Sequence, residues 1–229
     1  MTEPVPNRQY LADFSLALVS RSRDYTASRM ILNGLPEYFA AVRYWRMLAG
    51  KEPNGLLEVL LRRAMLSEMF CMPQAAIRPR LAVPGLQTLY LDALHVLHAR
   101  IEADDIISCH DAPPFCGART LAPELADAYR RAFQLIGDSR AGIVFASERA
   151  KREFAHTFGS NFRFLKVIAL PYADRPSDRT NGRTGGRKFQ PIPALGEVSG
   201  PFRRPATSNA FPAWQQAYVT AWARLLTDG

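Results

Sequence analysis

The residues best equipped for chemistry are His110 and Asp111, which directly follow the apolar run DIISC at 105–109. An imidazole at the end of a strand can donate to a sugar hydroxyl or a phosphate, and the adjacent carboxylate can accept from a second hydroxyl. A His-Asp dipeptide is equally compatible with a structural role, in which the ring satisfies loop carbonyls. A metal-dependent phosphohydrolase is a poor fit, because it needs further His and Asp ligands on surrounding helices and this pair follows a strand.

Other candidates are weighed in the same way. The basic stretch SRSRDYTASR at 20–29 places Thr26 and Ser28 where they could cap a following helix. Its amides and Arg29 could receive a phosphate or an anionic acceptor; the plainer reading is an exposed basic loop. Ser147 with Glu148 stands at a strand-to-helix turn and could touch a ligand across a crevice. No GxSxG elbow supports Ser147 as a nucleophile, and helix capping accounts for it. Cys109 and Cys116 flank His110-Asp111, yet a reactive thiol needs a base and a lowered pKa, so burial as small apolar groups is the simpler role. His95 and His98 are spaced for one helical face but lack a third ligand, which favours a solvated or packed helix. NGRTGGRK at 181–188 departs from the GxxxxGK[ST] phosphate loop and follows no strand.

These residues must be positioned by an alternation of strand-like and helix-like segments, the pattern of an α/β domain with a mainly parallel sheet. Strands are expected at Phe14–Val19, Gln87–Leu91, Asp105–Cys109, Gly142–Ala146 and Phe164–Leu170. Helices are expected at Leu35–Leu48, from an Asn54 cap to Phe70, at Ala93–Ala103, at Leu121–Ile136, and after Ser147 as far as a stop at Gly159. The second of these helices is apolar on most sides at LLEVLLRR, and both of the first two are expected to be deeply packed. A carboxyl end of such a sheet is where ligands bind, and His110 falls there.

The chain divides near Tyr172 into a Rossmann-like domain, residues 1–172, and a basic tail, 173–229. Of 31 Gly and Pro residues, 12 fall in the last 57 positions. Disorder or irregular loop is expected there, apart from a helix near 212–226, where Trp214, Tyr218, Trp222 and Leu225 recur at helical spacing. The 229 residues include 29 Lys plus Arg against 21 acids, giving +8. That excess suits anionic partners without selecting one. Three cysteines without a paired framework favour a reducing compartment. With neither a signal-peptide pattern nor an apolar run long enough to cross a bilayer, the expected location is cytoplasmic, with peripheral contact at the inner membrane face left open.

In order along the chain, DIISCHDAPPF, APELADAYRRAFQLIGDSRAGIVFASERAKREFAHTFG and FRFLKVIALPY resemble the N-terminal half of family 4, group 1 glycosyltransferases. There too a strand ends in His-Asp before a Pro-containing loop and a long helix, and a short strand ends in Ser-Glu before a basic helix. Asp13-Phe14-Ser15 and the stretch through Arg29 resemble the opening strand and its Thr-Gly-Ile-x-Arg turn, with Ala27 and Ser28 in place of Gly and Ile. The resemblance covers about residues 11–172.

The resemblance implies one half of a GT-B fold. His110 would lie against the transferred sugar, Asp111 would shape the acceptor side and Arg29 would approach the phosphates, with no metal and no cofactor beyond a nucleotide-sugar donor. The acceptor would be a saccharide or lipid-linked group in polysaccharide or glycolipid synthesis. The family's donor-binding lobe has no counterpart in the 57 residues after Tyr172, where Arg187-Lys188 only faintly matches its basic pair and no matching glutamate pair exists. The chain is therefore expected to be incomplete or inactive alone, or to work with a homodimer mate or partner subunit. The alternative is a non-catalytic binding or assembly module on the same half-fold. Nucleic-acid binding ranks last, since no helix carries a clustered basic face interleaved with aromatics.

Overall fold

The computed structural model describes residues 9–19, 23–71, 83–110, 123–170 and 213–228. Seven strands form one sheet: β1 (Tyr10–Asp13), β2 (Phe39–Tyr44), β3 (Met47–Leu48), β4 (Gln87–Tyr90), β5 (Ile106–Cys109), β6 (Gly142–Phe145) and β7 (Phe164–Val167). Their spatial order is β3-β2-β1-β4-β5-β6-β7, and every neighbouring pair is parallel except the β2–β3 hairpin. Among the described residues five α-helices accompany them: α1 (Arg23–Gly34), α2 (Gly55–Cys71), α3 (Pro123–Asp138), α4 (Glu148–Phe158) and α5 (Ala213–Asp228). This is the expected α/β, Rossmann-like arrangement, a mainly parallel sheet flanked by helices.

The central strands are short runs buried on both faces, as parallel sheets require: IISC in β5 and GIVF in β6 have no exposed residue. From β1 the chain crosses to β2 on one side, while β4 to β7 progress to the other. α1 lies in the connection between the parallel strands β1 and β2, α3 between β5 and β6, and α4 between β6 and β7. Phe133 of α3 and Phe145 of β6 both pack on Phe154 of α4. α5 joins α1: Tyr218, Trp222, Leu225 and Leu226 are buried, Val219 lies against Gly34, and the Tyr10 hydroxyl donates to the Leu226 carbonyl at 3.0 Å.

Several local expectations are corrected. Phe14–Val19 is not a strand: β1 ends at Asp13, whose carboxylate accepts from the Ser15 amide and hydroxyl, and the chain closes into a 3-10 turn at Ser15–Leu18. The stretch 20–29 is not simply a loop, since α1 begins at Arg23 and Thr26, Ser28 and Arg29 lie inside the helix rather than ahead of it. Leu35–Leu48 is not helical. A short 3-10 turn at Pro36–Tyr38 leads into β2, where pairing with β1 overrides the helical spacing. Trp45 then takes a left-handed φ of 57°, held by the Ser15 hydroxyl on its amide and by Glu68 on its indole. Ala93–Ala103 is helical only as a 3-10 segment at Ala93–Leu97, capped by the Asp92 side chain.

α2 follows Asn54 as expected but is not deeply packed; Leu56, Leu57, Val59 and Leu60 are all exposed. The later elements match their expected positions closely, including the Ser147 cap of α4 and the positive φ of Gly159 at its end.

Candidate functional site

The direction of the strand order reverses between β1 and β4, the place where open parallel sheets form a crevice. At its floor lies a buried ionic cluster. Arg43, from the end of β2, donates from Nε and Nη2 to Asp13 Oδ2 at 3.0 and 2.8 Å. His98 donates from Nε2 to the same oxygen at 3.1 Å, and His95 donates from Nδ1 to the Asp13 carbonyl at 3.2 Å. These acceptors fix each ring's proton on the nitrogen facing Asp13. The other nitrogens, His95 Nε2 and His98 Nδ1, are buried without a hydrogen-bond partner. The neutral His95 ring forgoes an acceptor bond at Nε2 rather than strand a donor there.

Burial alone would raise the Asp13 carboxyl, but Arg43, His98 and His95 around it hold it well below the usual carboxylate range. Burial pulls His95 down to about 4, only partly opposed by Asp13, so the ring is neutral near neutral pH. For Arg43, burial works against the cation and Asp13 outweighs it, raising the guanidinium's pKa. Arg43 also lies 5.8 Å from the centre of the Tyr90 ring. His95 lies in the 3-10 segment at 93–97 and His98 is its C-terminal cap, and this spacing of three brings both imidazoles to Asp13.

Above this floor, His110 stands half-buried at the end of β5. Its Nε2 donates to the Leu91 carbonyl at 3.1 Å, with the Ser108 hydroxyl 3.5 Å away. Ser28, fully buried in α1, donates to the same carbonyl at 3.1 Å. The structure therefore brings His110 and Ser28 to one atom. Burial makes Ser28 a fastener between α1 and the end of β4 and removes it from contact with a ligand. With Nε2 spent on the Leu91 carbonyl, Nδ1 is the ring nitrogen left to meet a ligand hydroxyl.

The remaining candidates are dispersed. Arg29 donates to the Tyr25 hydroxyl at 3.0 Å, and that hydroxyl donates to the Glu52 carboxylate. Thr26 is half-buried in the first turn of α1. The Ser147 side chain accepts from the Ala150 amide at 3.1 Å, the capping role, and Glu148 is exposed at the first position of α4. Burial pushes the Cys109 thiol far up, consistent with an inert apolar group. Asp111, Cys116 and the 181–188 stretch lie outside the described residues. Among the described residues no three His, Cys, Asp or Glu side chains are grouped to hold a metal ion. An apolar cleft of about 330 Å³ between Leu32, Phe39, Val42 and Leu48 lies at the far β2–β3 edge, away from His110.

Sequence reasoning missed the Asp13–Arg43 floor. Its only signals were the His95–His98 spacing and an aspartate closing an apolar segment, and nothing in one sequence pairs residues 30 to 85 positions apart. No family model matches the chain, and no curated protein or solved structure matches it either.

Proposed function

We propose that the chain is a glycosyltransferase-related protein whose sheet edge forms one wall of a sugar-transfer cleft, as the N-terminal half of a GT-B enzyme does. The observation that carries this reading is His110: half-buried at the carboxyl end of a central parallel strand, and oriented by Leu91 rather than sealed in the core. In such a cleft its Nδ1 accepts from a sugar hydroxyl and fixes the pose of the transferred ring. The N-termini of α1 and α4 follow strands that end on the same edge, so their amides supply partial positive charge toward a leaving diphosphate. Arg29, in the second turn of α1 and bonded to the Tyr25 hydroxyl, adds a cation on that helix. The substrates are a nucleotide sugar and a saccharide or lipid-linked acceptor.

The test titrates the purified chain with a panel of nucleotide sugars and saccharide acceptors, read by calorimetry and ligand-observed NMR, alongside an assay for transfer. His110→Ala should weaken binding at least tenfold while circular dichroism and Tm stay unchanged. Binding without transfer would assign the chain to the non-catalytic module. No binding to any member of the panel, or equal binding by His110→Ala, would overturn the reading.

A further inference from the structure

The turn that follows β2 holds a tryptophan in a conformation that suits glycine. Arg43 pairs with Leu48 and Tyr44 with Met47, so Trp45 and Arg46 alone close the β2–β3 hairpin. Two-residue hairpins with one left-handed residue favour glycine at the first position, because a side chain there crowds the backbone. Trp45 occupies it with φ at 57°, and among the described residues no other non-glycine has a positive φ.

Three contacts hold it there. The Trp45 amide donates to the Ser15 hydroxyl at 2.6 Å, and that hydroxyl donates to Asp13. Through one serine, the buried ionic cluster thus reaches the backbone of this turn. The indole Nε1 donates to Glu68 Oε2 at 2.7 Å. The Arg46 guanidinium donates to Glu68 Oε1 at 2.7 Å and lies over the ring, 5.3 Å from its centre. Strain of this kind persists only where the surroundings over-determine it, and it gathers where a side chain has a task.

Place and chemistry indicate the task. β2, β1, β4 and β5 run parallel, so Trp45, one residue past β2, stands on the same edge of the sheet as His110, one residue past β5. Three strand spacings separate them, on the order of 14 Å. The indole is half-buried and its polar N–H is engaged by Glu68, so what it offers is apolar π surface. Beside it the Arg46 side chain is 46% exposed, and Glu68 balances its charge. An apolar face next to hydrogen-bond donors, without net charge, matches a neutral sugar ring: its C–H face packs on the indole and its hydroxyls meet Arg46.

We propose that Trp45 and Arg46 form a stacking subsite for a neutral saccharide, and that the link from Asp13 through Ser15 holds the indole in place for it. The choice of a sugar rests on the sugar-transfer reading as well as on this chemistry; the subsite itself is separate from His110.

The intact chain is titrated with neutral oligosaccharides that carry no nucleotide, and the ligand protons are followed by NMR. Protons stacked on an indole move upfield through its ring current, which a purely structural tryptophan does not cause, and such shifts are expected with the unaltered chain. Trp45→Gly deletes the ring and accepts the left-handed φ, so circular dichroism should be retained while affinity falls roughly tenfold or more. Ser15→Ala leaves the indole but unties the turn, and should weaken binding about threefold or more. Should Trp45→Gly not fold, the ring-current shifts of the unaltered chain and the affinity of Trp45→Phe, which lacks the Glu68 contact, decide. Absence of saccharide binding, bound sugar without upfield shifts, or equal affinity in Trp45→Gly would overturn the proposal. If nucleotide sugars bind through His110 and neutral saccharides do not bind, the subsite falls and the sugar-transfer reading stands. Saccharide binding lost in Trp45→Gly, with no binding of nucleotide sugars, supports the subsite and overturns that reading.

Discussion

Replacing Asp13 by Asn separates the charge of the buried cluster from its shape. Asn is nearly isosteric, so no cavity opens and the effect is electrostatic. Arg43 is only 2% exposed and loses the carboxylate to which two of its nitrogens donate. His98 loses its acceptor charge, and an amide nitrogen of Asn can be set against another donor. Breaking a buried pair from one side costs about 3–5 kcal/mol, because the surviving charge stays desolvated. Set against a total stability of about 5–15 kcal/mol, that is a large share.

Arg43→Met in the Asp13→Asn background removes the stranded cation and should recover much of the loss, since replacing both partners of a buried pair is often near neutral. Urea unfolding followed by tryptophan fluorescence, across the full double-mutant cycle, gives the coupling directly. A loss under about 1 kcal/mol for Asp13→Asn, or a double variant as unstable as the two single losses combined, would refute the claim that the pair organises the crevice floor.

The same cluster governs the acid response. His95 titrates near 4 in the folded chain against 6.5 ordinarily, so the unfolded chain binds the extra proton and stability falls as pH drops through that window, by up to about 3 kcal/mol. Burial raises Asp105 to about 6 against the opposing Glu102 and Thr88 amides, so its contribution runs the other way and grows by about 3 kcal/mol as pH falls from 6 to below 4. Unfolding free energy from denaturant titrations should therefore be nearly flat from pH 6.5 to 4 in the unaltered chain and fall across that range in Asp105→Asn. Asp13, depressed in the folded state, adds a loss only below its ordinary value of 3.8. Ser147→Ala should lower stability by about 1 kcal/mol through the lost cap of α4, seen in Tm. Trp222→Ala should cost about 3–5 kcal/mol in urea unfolding, because the ring that docks α5 is 1% exposed.

What the sequence determined by itself is the second half of the sheet. β5 and β6 are buried four-residue runs, and Ser147 and Gly159 mark the ends of α4 through chemistry confined to a few neighbouring residues. His110 was legible for the same reason, standing one residue past such a run. The first half required the tertiary structure. The 39–44 stretch has helix-compatible spacing and becomes a strand only because β1 offers a parallel partner, and β1 stops at Asp13 because its carboxylate turns the chain. Only the folded state brings Asp13, Arg43, His95 and His98 together, and only there does a carboxylate with no water around it need all three partners at once. The exposure of α2 was likewise a tertiary decision: its apolar sequence suggests burial, but whether a neighbouring surface exists to bury it depends on where the rest of the chain goes.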